Sequence, residues 1–177
     1  MSLVLELASV GDTERLGRAV GELLRPGDVV VLSGPLGAGK TVLARGIGSG
    51  LGVAGPVTSP TFVIARVHPP LPGGRGVPLV HVDAYRLGGL AELDDLDLDT
   101  DLLTAAVVVE WGEGMAERLA DEHLLIRLGW PSDEPGGEPS DDGGAGRRVA
   151  RLRGPARLIP EPACLATPCC EPPTRDP

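Results

Sequence analysis

Aromatic residues are nearly missing from this 177-residue chain, where Phe, Tyr and Trp together make up 2% against 42% apolar residues in all. A core must therefore be packed from Leu, Val and Ala. Cysteine is scarce too. Cys164, Cys169 and Cys170 all fall in a Pro-rich terminal stretch, and an odd number with no neighbouring His makes neither a disulfide framework nor a metal cluster. No apolar run reaches the 18 or more residues of a membrane-spanning helix, and the amino terminus has no basic region leading into an apolar stretch. The expected location is the cytoplasm, with no membrane partner. Positive charge is also short: 16 Lys and Arg face 25 Asp and Glu, for a net charge of −9. That balance argues against a broad basic surface for nucleic acid, so contact with RNA needs a local patch or a partner protein. Lys40 is the only lysine.

Gly and Pro, by contrast, are abundant at 26 and 18 residues, as expected of a chain with long loops or a low-complexity tail. Leu3 to Leu7 reads as a short strand. Ser9 and Asp12 then precede Leu16, Ala19, Val20, Leu23 and Leu24, the apolar face of a helix that Pro26-Gly27-Asp28 ends. Val29 to Leu32 is continuously apolar and β-branched, the pattern of an inner parallel strand covered on both faces. A helix follows from Thr41. Further strands are expected at Phe62 to Val67, Leu79 to Val82, Ala105 to Val109 and Leu124 to Leu128, with Val149 to Arg153 returning as a partner of the last. A short helix is expected at Met115 to Leu119, and another within the acidic segment between Leu87 and Leu103.

Strands alternating with helices imply an α/β protein, a three-layer fold with a mostly parallel mixed sheet and helices on both faces. One domain is expected over residues 1–154. The acidic, Gly- and Pro-rich stretch Pro131 to Gly146 reads as a mobile loop within it, and 155–177 as a poorly ordered tail.

The chemistry concentrates at strand ends. Gly34-Pro35-Leu36-Gly37-Ala38-Gly39-Lys40-Thr41 follows a buried strand and opens a helix, the setting of a phosphate-binding loop (P-loop). Its glycines let the backbone curl so that consecutive N–H groups, and those of the helix start, face phosphate oxygens. Lys40 can reach the β- and γ-phosphates, and the Thr41 hydroxyl can ligate Mg²⁺. Asp83 ends the Leu79 to Val82 strand as a metal-holding carboxylate would. Glu110 ends the Ala105 to Val109 strand, where an acid can orient the attacking water or bind Mg²⁺; its neighbour Trp111 can pack over the site. Which of the two acids touches the metal more directly stays open at this level. In open α/β sheets ligands bind beyond the carboxyl ends of the strands, so Lys40, Asp83 and Glu110 converge on one edge. In Thr58-Ser59-Pro60-Thr61-Phe62, Pro60 holds Ser59 extended, and Thr61 or Ser59 can contact the γ-phosphate, the water or the metal shell. His81 reads as a histidine packed or hydrogen-bonded at the sheet edge.

In that order, the P-loop, Thr58-Ser59-Pro60-Thr61-Phe62, His81-Val82-Asp83-Ala84-Tyr85-Arg86-Leu87 and Glu110-Trp111 make a specific series. Over roughly residues 4 to 154 the chain resembles the TsaE family, bacterial ATPases of tRNA threonylcarbamoyladenosine modification. The resemblance also takes in the opening helix, and adds Thr13 to the cofactor-binding residues Gly34 to Thr41. It implies ATP and Mg²⁺ as cofactors, slow hydrolysis by the chain alone, and the TsaB and TsaD proteins as partners. The modified base would be adenosine 37 of tRNAs reading codons that begin with A, with tRNA reached through the complex. On it Lys40, Thr61, Asp83 and Glu110 are the catalytic set, and Thr41, Asp83 and Glu110 the metal ligands. The competing readings are a small-molecule or nucleotide kinase built on the same P-loop, and a nucleotide-dependent scaffold that does not hydrolyse.

Overall fold

The computed structural model describes residues 1–60, 64–87, 92, 102–131, 147–162 and 165. Among them run β1 (Ser2–Leu7), α1 (Val10–Leu23), β2 (Val29–Ser33), α2 (Lys40–Leu51), β3 (Ala65–His68), β4 (Leu79–Asp83), β5 (Ala106–Glu110), β6 (His123–Gly129) and β7 (Arg148–Arg153). Short 3-10 turns follow β4 at Ala84–Arg86, β5 at Ala116–Arg118 and β7 at Ala156–Leu158. The seven strands form one sheet in the order β1-β7-β6-β2-β5-β4-β3. Its centre, β6-β2-β5-β4, is parallel, and the margins β1-β7-β6 and β3-β4 are antiparallel. The expected mixed α/β sheet is present, and β7 returns beside β6 as its pattern required.

The continuous apolar runs of the central strands divide cleanly between two layers. Val30, Leu32, Leu79, Val108, Leu124 and Ile126 face the helices, joining Leu16 and Val20 of α1 and Leu43, Ile47 and Leu51 of α2. Val29, Val31, Val80, Val82, Val107 and Val109 point the other way. On that second face the cover among the described residues includes Ala84, Leu87, Leu102, Met115, Ala116 and Leu119. The helix expected at Met115 to Leu119 is a 3-10 turn, Ala116–Arg118. The segment 88–101, apart from Glu92, lies outside the described residues, as do 132–146 of the expected acidic loop and all three cysteines.

Alpha helices α1 and α2 pack through backbone rather than through side chains. A Cβ on Gly17 would stand 2.3 Å from the Leu43 carbonyl oxygen, one on Gly21 2.2 Å from that of Ile47, and one on Gly50 2.1 Å from that of Arg18. Glycine at these sites lets two helices approach more closely than ridges-into-grooves packing allows. Ser9 caps the start of α1, its hydroxyl accepting from the Asp12 N–H at 3.2 Å. Arg75 caps its end, donating to the Gly21 and Leu24 carbonyls at 2.7 and 2.8 Å, where a cation also suits the helix dipole.

Residues 155–160, expected to open the tail, are packed against the domain. Leu158 and Ile159 are buried, 1% and 7% exposed, and Arg157 forks onto buried Asp28 at 2.6 and 2.9 Å. The packed unit therefore continues past residue 154. A Pro-rich composition concealed two apolar anchors and one bidentate ion pair, which together hold the segment down.

The helix crossing generates a test. Gly→Ala in an exposed helix gains about 1 kcal/mol, yet a Cβ on Gly46 would lie 2.4 Å from the Glu14 carbonyl oxygen. Gly46→Ala is expected to lose about 1–3 kcal/mol by overpacking. Gly11→Ala, whose Cβ meets nothing closer than 3.6 Å, should be neutral or stabilising, and urea denaturation of the two variants reads the contrast.

Candidate functional site

Parallel pairing sets the site. In register, Leu32 of β2 sits beside Glu110 of β5, and Glu110 beside Asp83 of β4. Three adjacent strands thus end level, and the chain leaves β2 to form the loop Gly34 to Gly39. All three glycines of the loop have positive φ, Gly37 at +80°. Gly34 has φ +135° and lies so close to β6 that a Cβ would stand 2.1 Å from the Leu128 carbonyl oxygen. Gly39, with φ +104°, is the residue before α2, and only glycine adopts such angles at little cost. The Ala38 N–H closes the turn onto the Pro35 carbonyl at 3.2 Å. Ala38 is fully buried, whereas Leu36 is 83% exposed at the tip.

Lys40, Thr41, Asp83 and Glu110 line one cavity of about 470 Å³, together with Leu36, Gly37, Gly39, Ser59, Tyr85 and Trp111. Each polar side chain there is engaged with a neighbour. Lys40 Nζ donates to the Gly34 and Pro35 carbonyls at 2.7 and 2.9 Å and rests 3.6 Å from the centroid of the Trp111 ring. The Thr41 hydroxyl donates to Glu110 Oε2 at 3.1 Å. Ser59 donates to Asp83 Oδ2 at 2.9 Å, and Asp83 Oδ1 accepts from the Tyr85 N–H. Glu110 Oε1 is bonded to His81 Nε2 at 2.9 Å. Burial pushes the Lys40 ammonium below its ordinary value, while the Glu110 and Asp83 carboxylates pull the other way.

Trp111 stands on a left-handed backbone, φ +61°, a conformation that strains a bulky residue and that concentrates at functional sites. Its N–H bonds the Leu32 carbonyl at 2.9 Å. Tyr85, 64% exposed, lies against its ring with centroids 5.1 Å apart. Beside the loop, Glu113 accepts from Ser33 of β2 and from Arg127 of β6. Arg127 first, and then Ser33, hold its carboxyl below the usual carboxylate range.

Of the residues singled out in the sequence, Lys40, Thr41, Asp83 and Glu110 are brought together. Thr13 stands behind the loop: its methyl is 3.7 Å from where a Gly39 Cβ would be, and its hydroxyl bonds the Ser9 carbonyl at 3.4 Å. Thr61 lies outside the described residues, while Ser59 from the same segment reaches the cavity. His81 is packed and hydrogen-bonded, as expected. Its strand is interior, between β5 and β3, because β3 pairs beyond it, and the ring is bound to Glu110. The only sequence signal for that bond was the two-residue spacing from Asp83, which puts both side chains on one face.

The donor set suits a divalent cation that arrives with a phosphate ligand. Thr41, Asp83 and Glu110 offer hard oxygens at one wall, and Mg²⁺ is commonly held by one or two carboxylates plus substrate phosphates. Among the described residues no three His, Cys, Asp or Glu gather into a resident metal site.

A glycine-rich turn between a central parallel strand and a helix that opens with Lys-Thr, facing two carboxylates on adjacent strand ends, defines the class of P-loop nucleotide-binding proteins. The family model described as threonylcarbamoyl adenosine biosynthesis protein TsaE matches residues 7–134, and the chain belongs to this TsaE family. Relatives carry the name tRNA threonylcarbamoyladenosine biosynthesis protein TsaE. The one from Streptomyces coelicolor is 60% identical over 128 residues, 72% of this chain and 82% of its own. That from Mycobacterium tuberculosis H37Rv is 61% identical over 69% of this chain and 76% of its own. The crystal structure of Bacillus subtilis YdiB superposes with a TM-score of 0.61 at 28% identity, covering 86% of this chain and 84% of that one. Among the described residues no helix is long and apolar enough to cross a membrane.

The lowered Lys40 value has a sign that can be checked. Between that value and the ordinary 10.5, the unfolded chain binds more protons at this residue than the folded one, so ligand-free stability gains from rising pH there. Wild-type stability minus that of Lys40→Met should therefore be flat at lower pH and climb through the alkaline window, as read by urea denaturation at a series of pH values.

Proposed function

We propose that the chain is a Mg²⁺-dependent ATPase of tRNA threonylcarbamoyladenosine biosynthesis, acting with the TsaB and TsaD proteins on tRNAs whose adenosine 37 is modified. What supports this reading is one observation: in a chain of the TsaE family, Lys40, Thr41, Asp83 and Glu110 meet at the wall of a single cavity beside a P-loop. Tightly turned backbone N–H groups of Gly37 to Thr41 and the α2 start bind the phosphates. Lys40 leaves the Gly34 and Pro35 carbonyls to neutralise the transferred phosphate, and Trp111 keeps bulk water from that side. The Thr41 hydroxyl and Asp83 would hold the metal, which would supply charge neutralisation for the phosphates. Glu110 orients the water that attacks. Thr61, in the segment after Ser59, contributes a nucleotide-sensing contact, and Thr13 braces the loop from behind.

On binding, Lys40 exchanges two carbonyls and an aromatic face for phosphate, and the Thr41 hydroxyl exchanges Glu110 for the metal.

Lys40→Ala is expected to weaken Mg·ATP binding on the order of 10- to 100-fold, the worth of a charge-assisted hydrogen bond or two, by equilibrium titration. Asp83→Ala should lose chiefly the Mg²⁺-dependent part of binding, whereas Glu110→Ala should keep binding and lose turnover; the opposite pattern exchanges their roles. Reconstitution with TsaB, TsaD and tRNA should show phosphate release stimulated by the partners and repeated rounds of modification. Phosphate transferred to a small acceptor instead would make the chain a kinase, and binding without release would make it a scaffold.

A further inference from the structure

We propose that His81 is the positioning residue for Glu110, fixing its carboxylate so that the acid presents one oxygen to the Thr41 side of the cavity. The inference rests on the hydrolytic reading above. His81 is fully buried in an interior strand and Glu110 is 2% exposed, with Nε2 and Oε1 2.9 Å apart. A carboxylate only accepts, so the imidazole donates from Nε2. The second oxygen, Oε2, takes the Thr41 hydroxyl at 3.1 Å. Two elements, β4 and α2, thus hold the two oxygens of one acid on β5. Both oxygens are held here, and once the Thr41 hydroxyl turns to a metal the bond to His81 is the hold that continues to restrict the terminal torsion of the acid.

The ring can serve as the fixed member of the pair. It stands on the same face of β4 as Asp83, two residues on. His68 of β3, itself 4% exposed, backs it with ring centroids 6.5 Å apart, and His68 is tied to the backbone of Ala54. Among the described residues, Nδ1 of His81 has no hydrogen-bond partner. Glu110 is therefore the ring's one polar tether there, and packing rather than a second bond orients the imidazole. Outer partners of this type orient the groups that act, and losing one typically lowers activity or metal affinity by about 10- to 100-fold.

His81→Phe fills the space without a donor, and His81→Gln restores an N–H near the position of Nε2. His81→Phe is expected to lower kcat by about 10- to 100-fold while changing the Kd for Mg·ATP by less than about threefold, since the phosphate contacts of the P-loop are untouched. His81→Gln should recover most of that loss. Long-range ¹H–¹⁵N spectra of the nucleotide-free wild type should show a slowly exchanging proton on Nε2 and none on Nδ1. A proton on Nδ1 with bare Nε2, full activity of folded His81→Phe, or equal losses in the Phe and Gln variants would each overturn the proposal. Wild-type protein that binds Mg·ATP but releases no phosphate, alone or with TsaB and TsaD, would instead overturn the hydrolytic reading. In that case the imidazole spectrum still decides whether His81 holds Glu110.

Discussion

The level ending of three parallel strands is the constraint on which the rest depends. Leu32, Glu110 and Asp83 are neighbours in the ladder, so the chain turns into the P-loop next to two carboxylates. Parallel pairing allows no slip here, because a shift of one residue would send Asp83 or Glu110 to the opposite face and put a valine in the cavity. The same alternation that sends Val30 and Leu32 to the helices and Val29 and Val31 away from them keeps His81 and Asp83 together. Packing and chemistry therefore share one register.

Helix α2 must bring its first turn to that edge, and the glycines of the α1–α2 crossing govern how. Backbone-to-backbone contact at Gly17, Gly21, Gly46 and Gly50 leaves little freedom to slide. That crossing gives the Lys40 and Thr41 backbone a rigid seat. The abundance of glycine is thus divided between two tasks, turning the P-loop and bringing two helices into contact. The near lack of aromatics fits as well: of four, Tyr85 and Trp111 stand at the cavity, so much of the aromatic content serves the site and the core is aliphatic.

Charge is arranged with the same economy. The only lysine of an acidic chain lies in the cavity, facing Glu110 and Asp83, with loop carbonyls and an indole face around it. These groups satisfy one another. On the reading proposed above, Lys40 and the loop N–H groups are complementary to phosphate, and the oxygens of Thr41, Asp83 and Glu110 to metal.

Much of this was legible in the residues themselves. Strand runs such as Val29 to Leu32, the Ser9 cap, the P-loop motif and carboxylates at strand ends are local patterns, and local sterics and burial dictate them within a few residues. What the sequence by itself determined was therefore the strands to within a few residues, helices α1 and α2, and the glycine-rich loop between β2 and α2. The tertiary structure alone decided that β1 and β3 join the sheet antiparallel at its two edges, that residues 155–160 pack onto the domain through Leu158 and Arg157, and that His81 bonds Glu110 across 29 positions. Those outcomes depend on pairing register and on contacts distant in sequence, where no local pattern records the partner. The P-loop was readable because every part of it is adjacent in the chain; the hold on Glu110 was not, because it joins three separate elements.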